Sequence, residues 1–237
     1  MHGAGPRPAV ATPSLRAHRR RRLRYMLRVA LLDDHPAVLA GLRRLIDSEP
    51  DLTVAAVASS APELARKLDG LRPDVLVLDH DLTRDDGLAY CHRIKSRRDP
   101  PAVIIYSAYA GPALTVAARA AQADAVVDKA EPVQVLLTAL RRVANDDIVT
   151  TPVAWDMFEA AVARLDVEDL PVFAMLLDRE PLDSIADAMR TDRAEIAWRA
   201  QRIIGRLRPR SEVAWRAQRT RYASDWPRGD ETARDVA

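Results

Sequence analysis

The sequence predicts an α/β protein: a five-stranded parallel sheet with helices on both faces, followed by a small all-α domain. Three observations predict it. Between residues 29 and 145, five short apolar runs alternate with five segments of helical periodicity. The run Val75 to Leu78 is apolar throughout, as a strand covered on both faces requires. Beyond residue 150 the strand-like runs stop and only helical spacing continues.

Val29 to Leu32 is the first strand, ending in Asp33-Asp34. Pro36 opens a helix with Val38, Leu39, Leu42, Leu45 and Ile46 at helical spacing. Val54 to Ala58 is a short strand, and Glu63 to Leu71 a helix with Leu64, Ala65 and Leu68 on one face. Pro73-Asp74 introduces the third strand, Val75 to Asp79. Leu88 to Ser96 is a helix, Ala102 to Ser107 the fourth strand, and Pro112 to Ala121 an Ala-rich helix. Ala125 to Asp128 is the fifth strand and Pro132 to Val143 the fifth helix. Parallel strands joined this way carry helices on both faces.

The strand ends define a candidate site, because in an open α/β sheet the functional crevice lies beyond the carboxyl ends of the strands. Strand one delivers Asp33 and Asp34, strand three Asp79, strand four Ser107 and strand five Lys129. Three convergent carboxylates repel one another. A divalent cation resolves that conflict, and oxygen ligands with water positions suit Mg²⁺. A phosphoryl group arriving at Asp79 would find its charge met by the metal, the Lys129 ammonium and the Ser107 hydroxyl. Each residue taken singly reads as an ordinary strand-end or loop side chain; the conjunction favours a phosphoacceptor over a degenerate site. His35, Cys91 and His92 read as structural, because no second His or Cys stands at zinc-ligand spacing.

Residues 28–145 resemble the receiver domain of bacterial two-component response regulators, which has a flavodoxin-like sheet. The match rests on Asp33-Asp34-His35-Pro36, on Asp79-His80-Asp81-Leu82-Thr83-Arg84-Asp85-Asp86-Gly87, on Ser107-Ala108-Tyr109 and on Lys129. The Asp-Asp-His-Pro opening is especially similar to the NarL/FixJ (LuxR-type) branch. The resemblance implies that Asp79 accepts phosphate from a sensor histidine kinase. It implies that Asp34 binds the metal directly, Asp33 mainly through water, and Asp81 through its backbone carbonyl. Ser107 would be the switch hydroxyl and Lys129 the phosphate-binding cation. The sequence departs from the family at Leu82-Thr83, where Met-Pro is usual and a less rigid turn is expected. It departs again at Val126, where the family carries a switch aromatic; Tyr106 or Tyr109 would have to substitute.

The net charge of +2 hides an asymmetry. Residues 1–28 carry Arg19 to Arg22 and other arginines without an acid, and no apolar segment that would make a secretory signal. This basic extension, 1–27, reads as disordered, with a nucleic-acid-binding arm as the alternative; Met26 offers a second start. Residues 190–221 carry ten Arg against Asp192, Glu195 and Glu212, which points to a polyanion partner at that end. A single cysteine and the lack of a long apolar run point to a cytoplasmic protein without a membrane span.

The linker occupies 146–164, with an extended Ile148 to Thr151 and a helix opened by Pro152. In the helical domain, 165–222, the first helix starts late because of Pro171, capped by Asp166 or Asp169. Leu182, Ile185, Ala186 and Met189 define a second helix, and Asp192 with Glu195 caps a third, from Arg193 to Leu207, with Ile196, Ala200, Ile203 and Leu207 buried. Two short helices, a tight turn and an Arg-rich helix read as a helix-turn-helix.

The segment resembles the LuxR-type output domain through Ser184-Ile185-Ala186, Ile196, and Arg210-Ser211-Glu212-Val213-Ala214. The last of these is similar to the start of the fourth helix, which in the family mediates dimer contacts, so a homodimer is expected. Arg179 stands where the family has glycine and Ala197 where it has the groove-reading lysine. Arg193, Arg199, Arg202 and Arg206 are expected to contact phosphates of double-stranded DNA, and Ala197, Trp198 and Gln201 to face base edges. Alternatively, the arginines only solvate the helix and pair with acids. The segment Glu195 to Arg202 recurs as Glu212 to Arg219, and the tail, 223–237, reads as disordered.

The expected function is a phosphorylation-controlled transcription regulator, with no independent enzyme activity. A signalling adapter with a protein-binding helix-turn-helix is the alternative, and RNA binding is a weaker third reading, since no aromatic platform is evident.

Overall fold

The computed structural model describes residues 26–83, 85–150 and 153–209. The basic extension up to Tyr25, the helix starting at Arg210, the second repeat copy and the tail lie outside the described residues; the expected helix opening at Pro152 is corrected, since Ala154 is extended and the helix begins at Trp155.

Five strands form one parallel sheet, β1 (Leu27–Leu32), β2 (Leu52–Ala58), β3 (Val75–Leu78), β4 (Ala102–Ser107) and β5 (Ala125–Asp128), in the order β2-β1-β3-β4-β5. The helices between and after them are α1 (Pro36–Asp47), α2 (Ala61–Leu68), α3 (Gly87–Lys95), α4 (Pro112–Ala120) and α5 (Val133–Val143). Strand alternation divides the core. Val75 and Val77 join Val29, Leu31 and Ile104 beneath α1 and α5. Leu76 and Leu78 join Ala30, Leu32, Val103 and Ile105 beneath α2, α3 and α4. All four residues of β3 are buried, as the unbroken apolar run requires. The β1–β2 register shifts between Val29 and Ala30.

The C-terminal part is helical: α6 (Trp155–Val162), a short 3₁₀ turn (Val167–Asp169), α7 (Leu170–Leu177), α8 (Leu182–Met189) and α9 (Arg193–Leu207). Helix α9 buries Ile196, Ala200, Ile203 and Leu207, the stripe its periodicity predicts. Asp192 caps it by accepting the Glu195 N–H at 2.7 Å. The expected caps of the first helix are corrected: neither Asp166 nor Asp169 accepts a capping hydrogen bond there. Arginines of α9 claim both carboxylates, Arg206 taking Asp166 and Arg199 with Arg202 taking the fully buried Asp169.

Helix α7 ends on Arg179, whose φ of 63° is left-handed. The Arg179 N–H donates to the Leu176 carbonyl and the Glu180 N–H to that of Met175, both at 3.0 Å. This is the Schellman ending that normally takes glycine. The arginine therefore keeps the turn that its family position demands, at a steric cost of about 1–2 kcal/mol.

The helical part is not separate from the sheet domain. Helices α6 and α7 pack on α4, and α9 packs on both α3 and α4. One apolar cluster runs from Leu88, Ile94 and Leu114 through to Phe173, Ile196 and Ile203.

Candidate functional site

Two backbone hydrogen bonds bring strand ends to one edge, and a third holds the start of α3 there. The Asp79 N–H donates to the Leu32 carbonyl at 2.9 Å, setting Asp79 beside the end of β1. The Lys129 N–H donates to the Ser107 carbonyl at 2.8 Å, setting Lys129 beside the end of β4. Gly87 lets the start of α3 lie against Asp79, because a Cβ there would overlap the Asp79 carbonyl oxygen; its N–H donates to the His80 carbonyl at 3.2 Å.

The side chains then meet. Lys129 Nζ lies 2.6 Å from Asp33 Oδ2 and 3.0 Å from Asp79 Oδ2. Burial alone would raise the Asp79 pKa, but the neighbouring His80 ring, the Lys129 ammonium and the Asp81 N–H overcome it and hold the carboxyl down at about 2. It is therefore an anion with a free lone pair at neutral pH. Burial likewise disfavours the Lys129 ammonium, and Asp33 and Asp79 more than restore it, so its pKa is raised. The ammonium also lies 5.7 Å from the centroid of the Tyr106 ring.

Asp34 is held by the loop after Asp79. The Thr83 N–H donates to Asp34 Oδ2 at 2.7 Å, and the Thr83 hydroxyl donates to the same oxygen. Burial of Asp34 is outweighed by these bonds and by His35, so its pKa is lowered. The loop is therefore not loose. A proline here would have no N–H to give, whereas Thr83 ties the turn to Asp34.

Ligand atoms of Asp33, Asp34, His35 and Asp79 all lie within 4.8 Å of one another. Asp34 Oδ1 is buried and accepts no hydrogen bond, although His35 Nδ1 stands 2.9 Å away. A buried carboxylate oxygen without a hydrogen-bond donor, beside two more carboxylates, fits a hard divalent cation such as Mg²⁺. Asp81 follows directly, its N–H 3.4 Å from Asp79 Oδ1 and its backbone bridged to Asp86.

Ser107 and Val126 are also located. Ser107 is fully buried and accepts the Tyr109 N–H at 2.9 Å. Val126 packs against the larger core cluster and has no ring to move. The sequence reading missed His80, which is buried and lies with Nδ1 2.9 Å from Ser107 Oγ. Only its position after Asp79 marked it.

The second group of expected residues lies along the docked α9. Arg193 Nη2 donates to the Ser96 carbonyl at 2.5 Å and pairs with Asp183 at 3.1 Å. Gln201 donates to the Ala89 carbonyl in α3 at 3.1 Å. Arg199 and Arg202 hold Asp169 at 3.0 and 2.6 Å, and Arg206 holds Asp166 at 2.6 Å. Trp198 is exposed, with the Arg202 guanidinium over its ring, and Ala197 is partly buried. In this conformation α9 faces the α/β domain, and its arginines are occupied by acids and carbonyls.

Two further arginines, unassigned from sequence, join the halves. Arg179 donates to the Ala123 carbonyl at 2.7 Å and to Asp124 at 2.6 Å. Arg208 lies 3.3 Å from Asp81 and 3.6 Å from Asp86, on the loop that follows Asp79.

Residues 29–141 match the response regulator receiver domain. This part of the chain is a response regulator receiver domain. Over 121 residues it is 27% identical to the nitrate/nitrite response regulator protein NarL of Escherichia coli K12, covering 51% of this chain and 56% of that protein. Over 81 residues it is 35% identical to a protein-glutamate methylesterase/protein-glutamine glutaminase of Rhizobium johnstonii, covering 34% of this chain and 22% of that protein. The chain thus spans little more than half the length of NarL and about a fifth of the methylesterase.

Among solved structures, a LuxR-family two-component response regulator from Aurantimonas sp. SI85-9A1 has a TM-score of 0.51 at 29% identity, over 57% of this chain and 97% of that one. RcsB from Salmonella enterica serovar Typhimurium, bound to a promoter, has a TM-score of 0.52 at 21% identity over 80% of this chain and 95% of that one, a likeness of fold. A receiver domain followed by a helical domain, with these likenesses, supports a NarL/LuxR-type response regulator. Among the described residues, no helix is long and apolar enough to cross a membrane.

Proposed function

We propose that this response regulator is a cytoplasmic, phosphorylation-controlled transcription regulator whose receiver holds its helix-turn-helix in a docked state. The carrying observation is the cluster of Asp33, Asp34, Asp79, Ser107 and Lys129 at one sheet edge, with Arg208 of the output domain reaching the loop of that cluster. The Asp79 carboxylate attacks the phosphoryl group of a phosphohistidine on a sensor kinase. The P–N bond breaks as the P–O bond to Asp79 forms.

Asp33, Asp34, Asp79 and the Asp81 carbonyl would hold Mg²⁺, which supplies positive charge beside the phosphoryl oxygens. Lys129 exchanges its contact with Asp79 for a phosphoryl oxygen, and Ser107 donates to another. That rearrangement, and the charge added beside Asp81 and Asp86, bias the chain toward a state in which α9 leaves α3 and α4. The freed helices dimerise and bind double-stranded DNA, with Arg193, Arg199, Arg202 and Arg206 toward phosphates and Ala197, Trp198 and Gln201 toward bases. The chain then acts as a regulator and not as an independent enzyme.

Incubation with acetyl phosphate and Mg²⁺, followed by intact mass, tests the chemistry. One added phosphoryl group, absent in Asp79→Ala, is expected; equal labelling of Asp79→Ala would sink the reading. A second reading, an adapter whose helix-turn-helix binds a protein, is favoured by the internal pairing of Arg199 and Arg202 with Asp169. Salt-dependent binding of the phosphorylated chain to duplex DNA separates the two.

A further inference from the structure

His80 is a buried imidazole beside Asp79, and no step of the phosphoryl transfer proposed above uses it. Its backbone is fixed, because a Cβ on Gly87 would crowd the His80 Cα and the Gly87 N–H binds the His80 carbonyl. From that anchored position its ring reaches two groups. Nδ1 lies 2.9 Å from Ser107 Oγ and 3.7 Å from Asp79 Oδ1, so the hydroxyl is its hydrogen-bond partner and the carboxylate is a neighbour.

A serine hydroxyl has one proton to give and two lone pairs. The Tyr109 N–H occupies one lone pair at 2.9 Å. With the imidazole proton on Nε2, the Ser107 proton points at His80 Nδ1. The same proton is the one a phosphoryl oxygen on Asp79 needs, so the two acceptors compete for it.

We propose that His80 is a positioning residue that holds the Ser107 hydroxyl proton away from Asp79 and so sets the bias of the switch toward its unphosphorylated state. This rests on the reading of Asp79 as the phosphoacceptor. Val126 provides no ring to swing inward, and Ser107 is the buried switch group whose partner must change. The His80–Ser107 bond is then the contact broken when the switch turns. Tyr109 reports on it, since its N–H rides on the same oxygen and its ring stands edge-on to His80 with centroids 6.3 Å apart.

The test is a titration of the full-length chain with beryllofluoride and Mg²⁺, followed by the amide resonance of Tyr109. His80→Phe keeps a flat ring and removes the acceptor. It should lower the beryllofluoride concentration at half-change by about 2–10-fold, the range expected for one neutral hydrogen bond. His80→Asn, whose amide oxygen falls near the place of Nδ1, should return it to within about two-fold of the unsubstituted chain, well inside that same range. In a Ser107→Ala background the effect of His80→Phe should vanish.

Equal midpoints in His80→Phe and the unsubstituted chain, or an undiminished effect in Ser107→Ala, would overturn the inference while leaving the phosphoacceptor reading intact. A chain with no beryllofluoride response at all would overturn both. If His80→Phe does not fold, the ring ¹⁵N spectrum of the unsubstituted chain decides. Nδ1 should resonate as a hydrogen-bonded acceptor and lose that character at saturation; an Nδ1 signal that does not move would sink the proposal.

Discussion

The Arg179 guanidinium sits 2.6 Å from the Asp124 carboxylate, joining the end of α7 to the turn between α4 and β5. Asp124 also accepts from Lys95 Nζ and from the Val103 N–H, each at 2.7 Å, so the arginine docks on a carboxylate already fixed by the receiver. Its left-handed backbone is the strained part of the arrangement and its side chain the stabilising part.

The two contributions can be separated with Arg179→Gly. Glycine accepts the left-handed turn without cost and deletes the pair. The output domain should stay folded, while the docked state loses about 2 kcal/mol, the lower end for truncating a partly desolvated charge pair. Small-angle scattering should show an expanded chain, and linker proteolysis should speed up. An unchanged radius and cleavage rate would mean that Arg179 does not hold the domains together.

Asp169 is the anchor of α9. It is fully buried and receives Arg199 at 3.0 Å and Arg202 at 2.6 Å. Asp169→Ala should cost about 3–5 kcal/mol in denaturant unfolding, because it strands guanidinium groups at a buried position. Arg199→Ala should lower both unfolding stability and affinity for duplex DNA; an unchanged affinity would remove Arg199 from the phosphate contacts.

His92 should give the chain an acid-side stability slope. Burial, with a contribution from the Arg193 charge, pushes its pKa down from 6.5 to about 4, and neither ring nitrogen has a hydrogen-bond partner. A base with a depressed folded pKa binds fewer protons folded than unfolded. Its stability contribution is therefore full above about 6.5 and is lost as pH falls toward 4. The loss should amount to about 3 kcal/mol and should disappear in His92→Leu. Urea midpoints measured across that window check it, and parallel slopes in both chains would exclude His92 as the source.

Cys91 should be inert in the folded chain. Burial pushes its thiol up to about 12, and its sulfur faces the Ala121 carbonyl at 3.5 Å. Labelling by a thiol reagent should follow global unfolding. Stoichiometric labelling under native conditions would show that α3 opens locally.

The receiver half was legible because its signals are local. Each strand is an apolar run and each site residue follows one directly, so Asp33, Asp34, Asp79, Ser107 and Lys129 could be placed from order alone. The output half was legible as helices but not as a docked body. Asp169 looked like a cap because it precedes Leu170-Pro171, while its partners Arg199 and Arg202 lie a whole helix-turn-helix away in the chain. Arg179 looked like a lost glycine, and only the fold reveals what its side chain reaches. Thr83 looked like a lost proline, and its value is an N–H that proline lacks.

Gly87 carries a mechanical consequence. With no side chain between them, the first turn of α3 rests directly on the backbone of Asp79 and His80. Two residues further along that helix, the Ala89 carbonyl receives Gln201 from α9. On the proposed function, a shift of a few tenths of an ångström at Asp79 would have no compressible layer to absorb it, and it would reach α9 as a displacement of the surface on which that helix sits. The signal would then pass through a rigid strut, and the glycine that opens α3 is what would make the strut stiff.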